Sequence, residues 1–133
     1  MAPELHENYG KVILNTIRRL YRRNSRVTLY KLVQKTHPAD MAGVFRYLNP
    51  AERRDIFQYI QRMKGLNAFL QEIDHALVPE IFAALSPQGI AATVAGLPPE
   101  KLSELLNSFS DEEANTIQTL LDSENREAFS LYK

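Results

Sequence analysis

The sequence contains no cysteine and no tryptophan, and it has only five glycines among 133 residues. Without cysteine there is no disulfide framework, no thiol nucleophile and no cysteine-ligated zinc. No glycine-rich loop is present to hold a nucleotide phosphate, and no apolar run approaches the ~18 residues of a transmembrane helix. The start of the chain lacks the basic and apolar stretches of a signal peptide. These absences predict a soluble, cytoplasmic chain. Its length is that of a single domain.

The charges balance overall but not locally, because 16 Lys and Arg face 16 Asp and Glu. Residues 1–35 hold eight cations and two acids, residues 36–65 hold five and three, and residues 66–133 hold three and eleven. The net charges of these segments are therefore +6, +2 and −8. Uneven solvated helix faces account for such a pattern as readily as binding does. If it serves binding, the basic segment favours an anionic partner and the acidic part favours cations.

Large apolar residues recur at intervals of 12 or 13 residues through most of the chain. Other apolar residues precede most of them by three, four and seven positions, which is the pattern of an amphipathic helix. Strand patterns of period two are absent, so the fold is predicted to be all-α. The recurring positions are Leu48, Ile60, Ile73, Leu85, Leu97, Phe109 and Leu121.

Each repeat is followed by a helix start, such as Asn49-Pro50, Ser86-Pro87 or Ser110-Asp111. Asp122-Ser123 is expected to begin a further unit, and the helix from Pro50 is expected to run on to a stop at Gly65. Helices of about ten residues are marginal alone, so they must stack on one another. The sequence thus predicts a solenoid-like superhelix over residues 26–133, with an irregular bundle as the alternative. The predicted core comprises Met41, Val44, Phe45, Leu48, Ile56, Phe57, Ile60, Phe69, Leu70, Ile73, Ile81, Phe82, Leu85, Ile90, Val94, Leu97, Leu102, Leu105, Leu106, Phe109 and Ile117.

Residues 1–25 are predicted to form a separate, longer amphipathic helix. Lys11, Arg18 and Arg22 lie on its basic side, which we expect to dock an acidic partner or a second copy of the chain. Nucleic-acid binding is not expected, because the acidic remainder of the chain would repel phosphates. The opposite, apolar side is formed by Leu5, Tyr9, Val12, Ile13, Ile17 and Leu20.

Candidate metal ligands lie in the acidic part of the chain. Glu100 and Glu104 are one helical turn apart, and Asp111 and Glu112 begin the next unit. Carboxylates with retained water suit Mg²⁺, although acids in a first turn also stabilise the helix dipole. The histidines lack metal-ligand spacing, and His37 before Pro38 is more typical of a helix cap. No nucleophile motif is present, so no catalytic residue is predicted.

The block His37-Pro38-Ala39-Asp40, followed by Asn49-Pro50-Ala51-Glu52-Arg53 and two proline corners, resembles the cytoplasmic N-terminal domain of MgtE-type magnesium transporters. The resemblance covers roughly residues 27–122. It implies a right-handed α-superhelix that acts as a regulatory element, with weakly bound Mg²⁺ bridging its acidic surface to CBS domains. It also implies a place at the cytoplasmic face of a membrane transporter, if the chain is an excised domain.

The acidic helix start of that family matches Glu100 and Glu104 but not Lys101, which opposes cation binding. An alternative family is the flagellar switch protein FliG, whose armadillo-like region has a similar His-Pro start. That resemblance implies a metal-free protein-interaction scaffold. The Ala39-Asp40 pair after His-Pro favours the transporter-type domain.

Overall fold

The computed structural model describes the backbone of residues 3–131 and the side chains of residues 9–123. Over that range the chain is all-α, as predicted, with nine α-helices, one 3-10 turn and no strand. Among these helices, none combines the length and apolar character needed to cross a bilayer. The elements are α1 (Pro3–Arg22), α2 (Arg26–Lys35), α3 (Pro38–Phe45), α4 (Pro50–Ile60), α5 (Leu66–Glu72), the 3-10 turn (His75–Leu77), α6 (Val78–Phe82), α7 (Pro87–Val94), α8 (Pro99–Leu106) and α9 (Asp111–Leu131).

The chain forms two compact units, one up to Leu77 and one from Val78 onward. In the first unit α1 packs on α2 and α3, α2 packs on α4, and α3 packs on α5. In the second unit α7 packs on α9. The boundary between residues 25 and 26 expected from the sequence does not coincide with this division, because α1 packs within the first unit.

Three phenylalanines form the centre of the first unit. The ring of Phe69 lies 4.9 Å from that of Phe45 in an edge-to-face arrangement, and 6.2 Å from that of Phe57. All three side chains are buried. Aromatic pairs with this geometry contribute about 0.5–1.5 kcal/mol beyond the burial of their area. This contact fixes α5 against α3 and α4.

The predicted core is confirmed at 18 of its 21 positions. The other three, Leu85, Leu102 and Phe109, are half-buried, although Phe109 still packs on Phe82 with ring centroids 5.9 Å apart. Leu85 and Phe109 stand at the turns before α7 and α9, and Leu102 lies early in α8. The apolar period identifies which residues face inward, but not how completely neighbouring elements cover the ends of short helices.

Side-chain caps begin three of the short helices, α3, α4 and α7. The Nδ1 atom of His37 accepts a hydrogen bond from the N–H of Ala39 at 3.2 Å, and Pro38 occupies the first turn of α3. Ser86 caps α7 by accepting the N–H of Gly89 at 3.1 Å. Each cap satisfies a backbone donor that has no partner within its helix, which stabilises a helix by about 1 kcal/mol.

A residue in the left-handed conformation ends α1. Asn24 has φ 56°, and the N–H of Ser25 bonds the carbonyl of Leu20 at 3.0 Å, which closes the helix. Ser25 precedes α2, but its side chain makes no capping hydrogen bond. The turn is set by backbone hydrogen bonds instead.

Two helix boundaries differ from the sequence prediction. Helix α4 ends at Ile60 rather than continuing to Gly65, because the chain turns to bury Met63. Helix α9 runs without interruption past Asp122-Ser123, which was expected to start a new unit. No proline stands there to end the helix, and Leu121 is buried in the second unit. Packing therefore favours continuation over a new start.

Replacing Leu105 by alanine tests the core assignment. Its side chain is fully buried, so Leu105→Ala should lower the free energy of unfolding by about 2–5 kcal/mol. Leu102→Ala, on the same helix but half-buried, is the matched control and should cost clearly less. Urea unfolding measures both, and equal losses in the two variants would contradict the assignment.

The two glycines at positions 43 and 65 should respond oppositely to alanine. A β-carbon at Gly65 would overlap the ring of Pro38, whereas one at Gly43 meets nothing within 4 Å. Gly65→Ala should therefore destabilise the first unit, and Gly43→Ala, inside α3, should stabilise it by about 0.5–1 kcal/mol. Thermal unfolding distinguishes them. Two shifts of the same sign would show that α3 and α5 do not approach as described.

Candidate functional site

Helix α1 presents a different face to the protein from the one its apolar residues predict. Ile13 and Ile17 are buried, whereas Tyr9 and Val12, expected on the same buried face, are 51% and 62% exposed. Leu5 lies outside the described side chains. At 100° per residue, the buried face is rotated away from Val12 and toward Tyr21. The exposed side of α1 therefore carries apolar as well as basic residues.

Arg18 is not free to dock a partner, which corrects the sequence prediction. Its Nη2 donates a hydrogen bond to the carbonyl of Tyr47, and its Nε lies 3.8 Å from Oε1 of Glu52. The side chain is 35% exposed. Arg18 thus ties α1 to the corner between α3 and α4, while Lys11 and Arg22 are exposed as predicted.

The corner between α3 and α4 is closed by a buried carboxylate and a second arginine. Asn49 and Glu52 form a capping box, with hydrogen bonds of 2.9 Å and 2.8 Å between their side chains and each other's backbone N–H. Glu52 is buried, so these bonds and Arg18 offset the loss of its hydration. Arg53 donates to the carbonyl of Phe45 at 2.8 Å and to that of Arg46 at 3.3 Å.

Tyr21 makes a second connection from α1 to α4. Its hydroxyl donates to Oδ2 of Asp55 at 2.6 Å. This hydrogen bond is the main cause that raises the pKa of Tyr21 above its usual value of 10.0, and burial adds to it. Both effects favour the neutral phenol. A phenolate has no proton to donate to Asp55, and the negative carboxylate would repel its charge.

The four predicted metal ligands are all exposed carboxylates in the second unit. Glu100 lies in the first turn of α8, and Asp111 and Glu112 lie in the first turn of α9. Glu104 pairs with Lys101, whose Nζ is 3.7 Å from its Oε2. Within the part of the chain that the structure describes, no group of three or more His, Asp or Glu is arranged to hold a metal ion.

The residues of the His-Pro-Ala-Asp block have structural positions. His37 caps α3, Pro38 contacts the α5 start at Gly65, and Asp40 is a half-buried acid in the first turn, where it complements the helix dipole. Of the other histidines, His75 is exposed in the 3-10 turn, and the side chain of His6 lies outside the described residues. The motif therefore identifies a fold feature rather than a ligand site.

Sequence reasoning missed an open groove between α1 and α3. A cavity of about 630 Å³ is lined by apolar residues including Leu14 and Val44, together with Gly10 and Gly43. Tyr47, 66% exposed, stands at its edge. The two glycines have no side chain to cover the helix backbone there. A β-carbon at either position would meet nothing within 4 Å. In the sequence, the only sign of this groove was one glycine in each of two amphipathic helices.

Replacing Tyr21 by phenylalanine tests the Tyr21–Asp55 bond through its pH dependence. Because folding raises the pKa of Tyr21, its contribution to stability is complete below pH ~10 and is lost as the pH rises through the raised value. Wild type should thus be more stable than Tyr21→Phe at neutral pH, and the difference should shrink above pH ~10. Urea unfolding across this range measures it. A difference that is constant with pH would contradict the bond.

Comparison with known proteins tests the resemblance carried by the His37 block. Neither a curated protein nor a solved structure matches the chain. The family described as the MgtE intracellular N domain matches residues 36–132, which are 97 of the 133 residues and include helices α3 to α9. The match confirms the resemblance, so the chain belongs to the MgtE intracellular N domain family, a non-catalytic domain of magnesium transporters.

Proposed function

We propose that this domain regulates magnesium transport by docking its acidic helix starts onto a partner domain in a cation-dependent manner. The observation that carries the proposal is the exposure of Glu100 and Glu104 one turn apart on α8, within the region that matches the family. A CBS domain is the partner that the family resemblance implies. Mg²⁺ would join carboxylates of the two domains and reduce the repulsion between them.

The donor set fits such a bridging role better than a closed site. Carboxylate oxygens suit Mg²⁺, which keeps several waters and is held by one or two protein carboxylates. Glu100 and Glu104 provide two, and the partner would supply the remainder. Lys101 works against the ion, because its ammonium already pairs with Glu104. An exposed pair of this kind contributes only about 0–1 kcal/mol, so a cation in excess can displace it.

The spacing of the helices supports the superhelical stacking expected from the sequence. Helices α3 and α4 begin at residues 38 and 50, and α7, α8 and α9 begin at residues 87, 99 and 111. These starts are twelve residues apart within each group. We infer that the repeat places the starts of α8 and α9 on a common side of the second unit, where their acids form one docking surface.

The metal-free scaffold is the second candidate function, and the Lys101–Glu104 ion pair favours it. Here the lysine replaces the metal as the counter-charge of Glu104. Docking would then depend on complementary surfaces alone, and it would be insensitive to divalent cations.

Titration of the full chain with Mg²⁺ separates the two functions. If the domain senses Mg²⁺, amide shifts should appear at millimolar Mg²⁺ within residues 99–113, and sodium chloride at equal ionic strength should not reproduce them. Glu104→Ala should abolish them, whereas Glu72→Ala, which removes an exposed carboxylate elsewhere, should not. Lys101→Gln should strengthen binding by up to about fivefold. An unchanged spectrum at tens of millimolar Mg²⁺ would favour the metal-free scaffold.

A further inference from the structure

The exposed side of α1 carries a dense group of cations, and the nearest acid before them in the sequence is Glu7, four residues before Lys11. We define the arginine face as Lys11, Val12, Arg19, Arg22 and Arg23, all of which are exposed. Residues 8–39 contain eight Lys and Arg and no Asp or Glu. Because no acid is interspersed, the positive potential of these side chains adds up rather than cancelling.

Two of the acids that approach α1 from other elements are engaged on its packed side, and a third, Asp40, lines the groove that Lys11 also lines. Glu52 is buried and is bonded by Asn49 and Arg18, and Asp55 accepts the hydroxyl of Tyr21. Among the described side chains, Arg19, Arg22 and Arg23 form neither a hydrogen bond nor an ion pair. They line, with Asn15 and Arg18, a shallow depression of about 450 Å³. The guanidinium groups are therefore available to an anion.

An apolar side chain shares this surface with the cations. Val12 precedes Arg19 by seven residues and Arg23 by eleven, so at 100° per residue each arginine lies about 20° from Val12, one on either side of it. Val12 is 62% exposed. An exposed aliphatic group costs free energy in water, so the position of Val12 among these arginines favours a partner surface that offers both anionic and apolar groups.

We propose that the arginine face docks on the anionic lipid headgroups of a membrane surface. Guanidinium groups fit phosphate oxygens in a bidentate manner, and Val12 would enter the headgroup region between them. An acidic protein surface would satisfy the arginines but gives no reason for an exposed valine between them. The proposal goes beyond the regulatory function above, because it requires neither Mg²⁺ nor a partner domain. It gives the domain a second contact, parallel to the bilayer and without insertion of a helix across it.

Co-sedimentation of the full chain with vesicles tests this docking. Binding to vesicles of phosphatidylcholine and phosphatidylglycerol should exceed binding to phosphatidylcholine alone. It should weaken when salt shortens the Debye length from about 10 Å at 0.1 M to about 3 Å at 1 M. Arg19→Gln with Arg23→Gln should lower the partition coefficient roughly 25-fold, about fivefold for each cation removed. Glutamine keeps the helix propensity and most of the side-chain length.

The matched control removes two positive charges elsewhere in the first unit. Arg62→Gln with Lys64→Gln changes two exposed cations in the turn between α4 and α5, and it should lower binding much less than the α1 variant. Val12→Ser should weaken binding while the charge stays constant. Circular dichroism should show that all variants keep the wild-type thermal midpoint, since none of these side chains is buried.

Four results would overturn the proposal. These are absence of binding to anionic vesicles, equal binding to neutral vesicles, and equal losses in the α1 variant and its control. The fourth is a stronger interaction of the same face with a short DNA duplex or with a second copy of the chain. Light scattering at low and high salt detects the second copy, and that result would assign the arginine face to self-association.

Discussion

Each eight-residue helix of this chain begins with proline, which has no N–H, so three N–H groups at its start and four carbonyls at its end find no partner within the helix. Helices α3, α7 and α8 are of this length. Almost every residue in them therefore has a backbone N–H or carbonyl that must bond to a side chain or a neighbouring turn. The chain meets the requirement with caps from His37 and Ser86 and with first-turn prolines. The short helices exist because their ends are satisfied, and only then can their apolar stripes pack.

The corner between α3 and α4 shows how this local requirement determines the wider structure. The last carbonyls around α3 accept hydrogen bonds from Arg53 and Arg18. Arg18 comes from a helix that precedes the corner by about two dozen residues, so satisfying the corner also fixes the rotation of α1. That rotation buries Ile17 and leaves Val12 and three arginines in solvent. The exposed basic surface of α1 is thus a consequence of the hydrogen bonds that Arg18 and Arg53 donate to the carbonyls at the end of α3.

The two units differ in the sign of the charges that they expose. Unpaired arginines dominate the exposed side of α1, whereas exposed carboxylates mark the helix starts of α8 and α9. Acids in a first turn stabilise their own helix through its dipole, so the same residues serve folding and remain accessible to cations. Lys101 limits that second role, because its pairing with Glu104 provides a counter-charge without metal. In the proposed regulation, Mg²⁺ would therefore have to compete with this lysine for Glu104.

Local patterns in the sequence were enough to determine the helices, most of the core and the family, because apolar period, capping residues and first-turn prolines act over a few residues. The capping box of Asn49 and Glu52 is one such case. The tertiary structure alone decided the bonds of Arg18 to Tyr47 and of Tyr21 to Asp55, which join residues 29 and 34 positions apart. It also decided the end of α4 and the continuation of α9, where the burial of Met63 and Leu121 outweighs local helix signals. Burial and long-range hydrogen bonds depend on which elements meet, and no periodicity within a single helix contains that information.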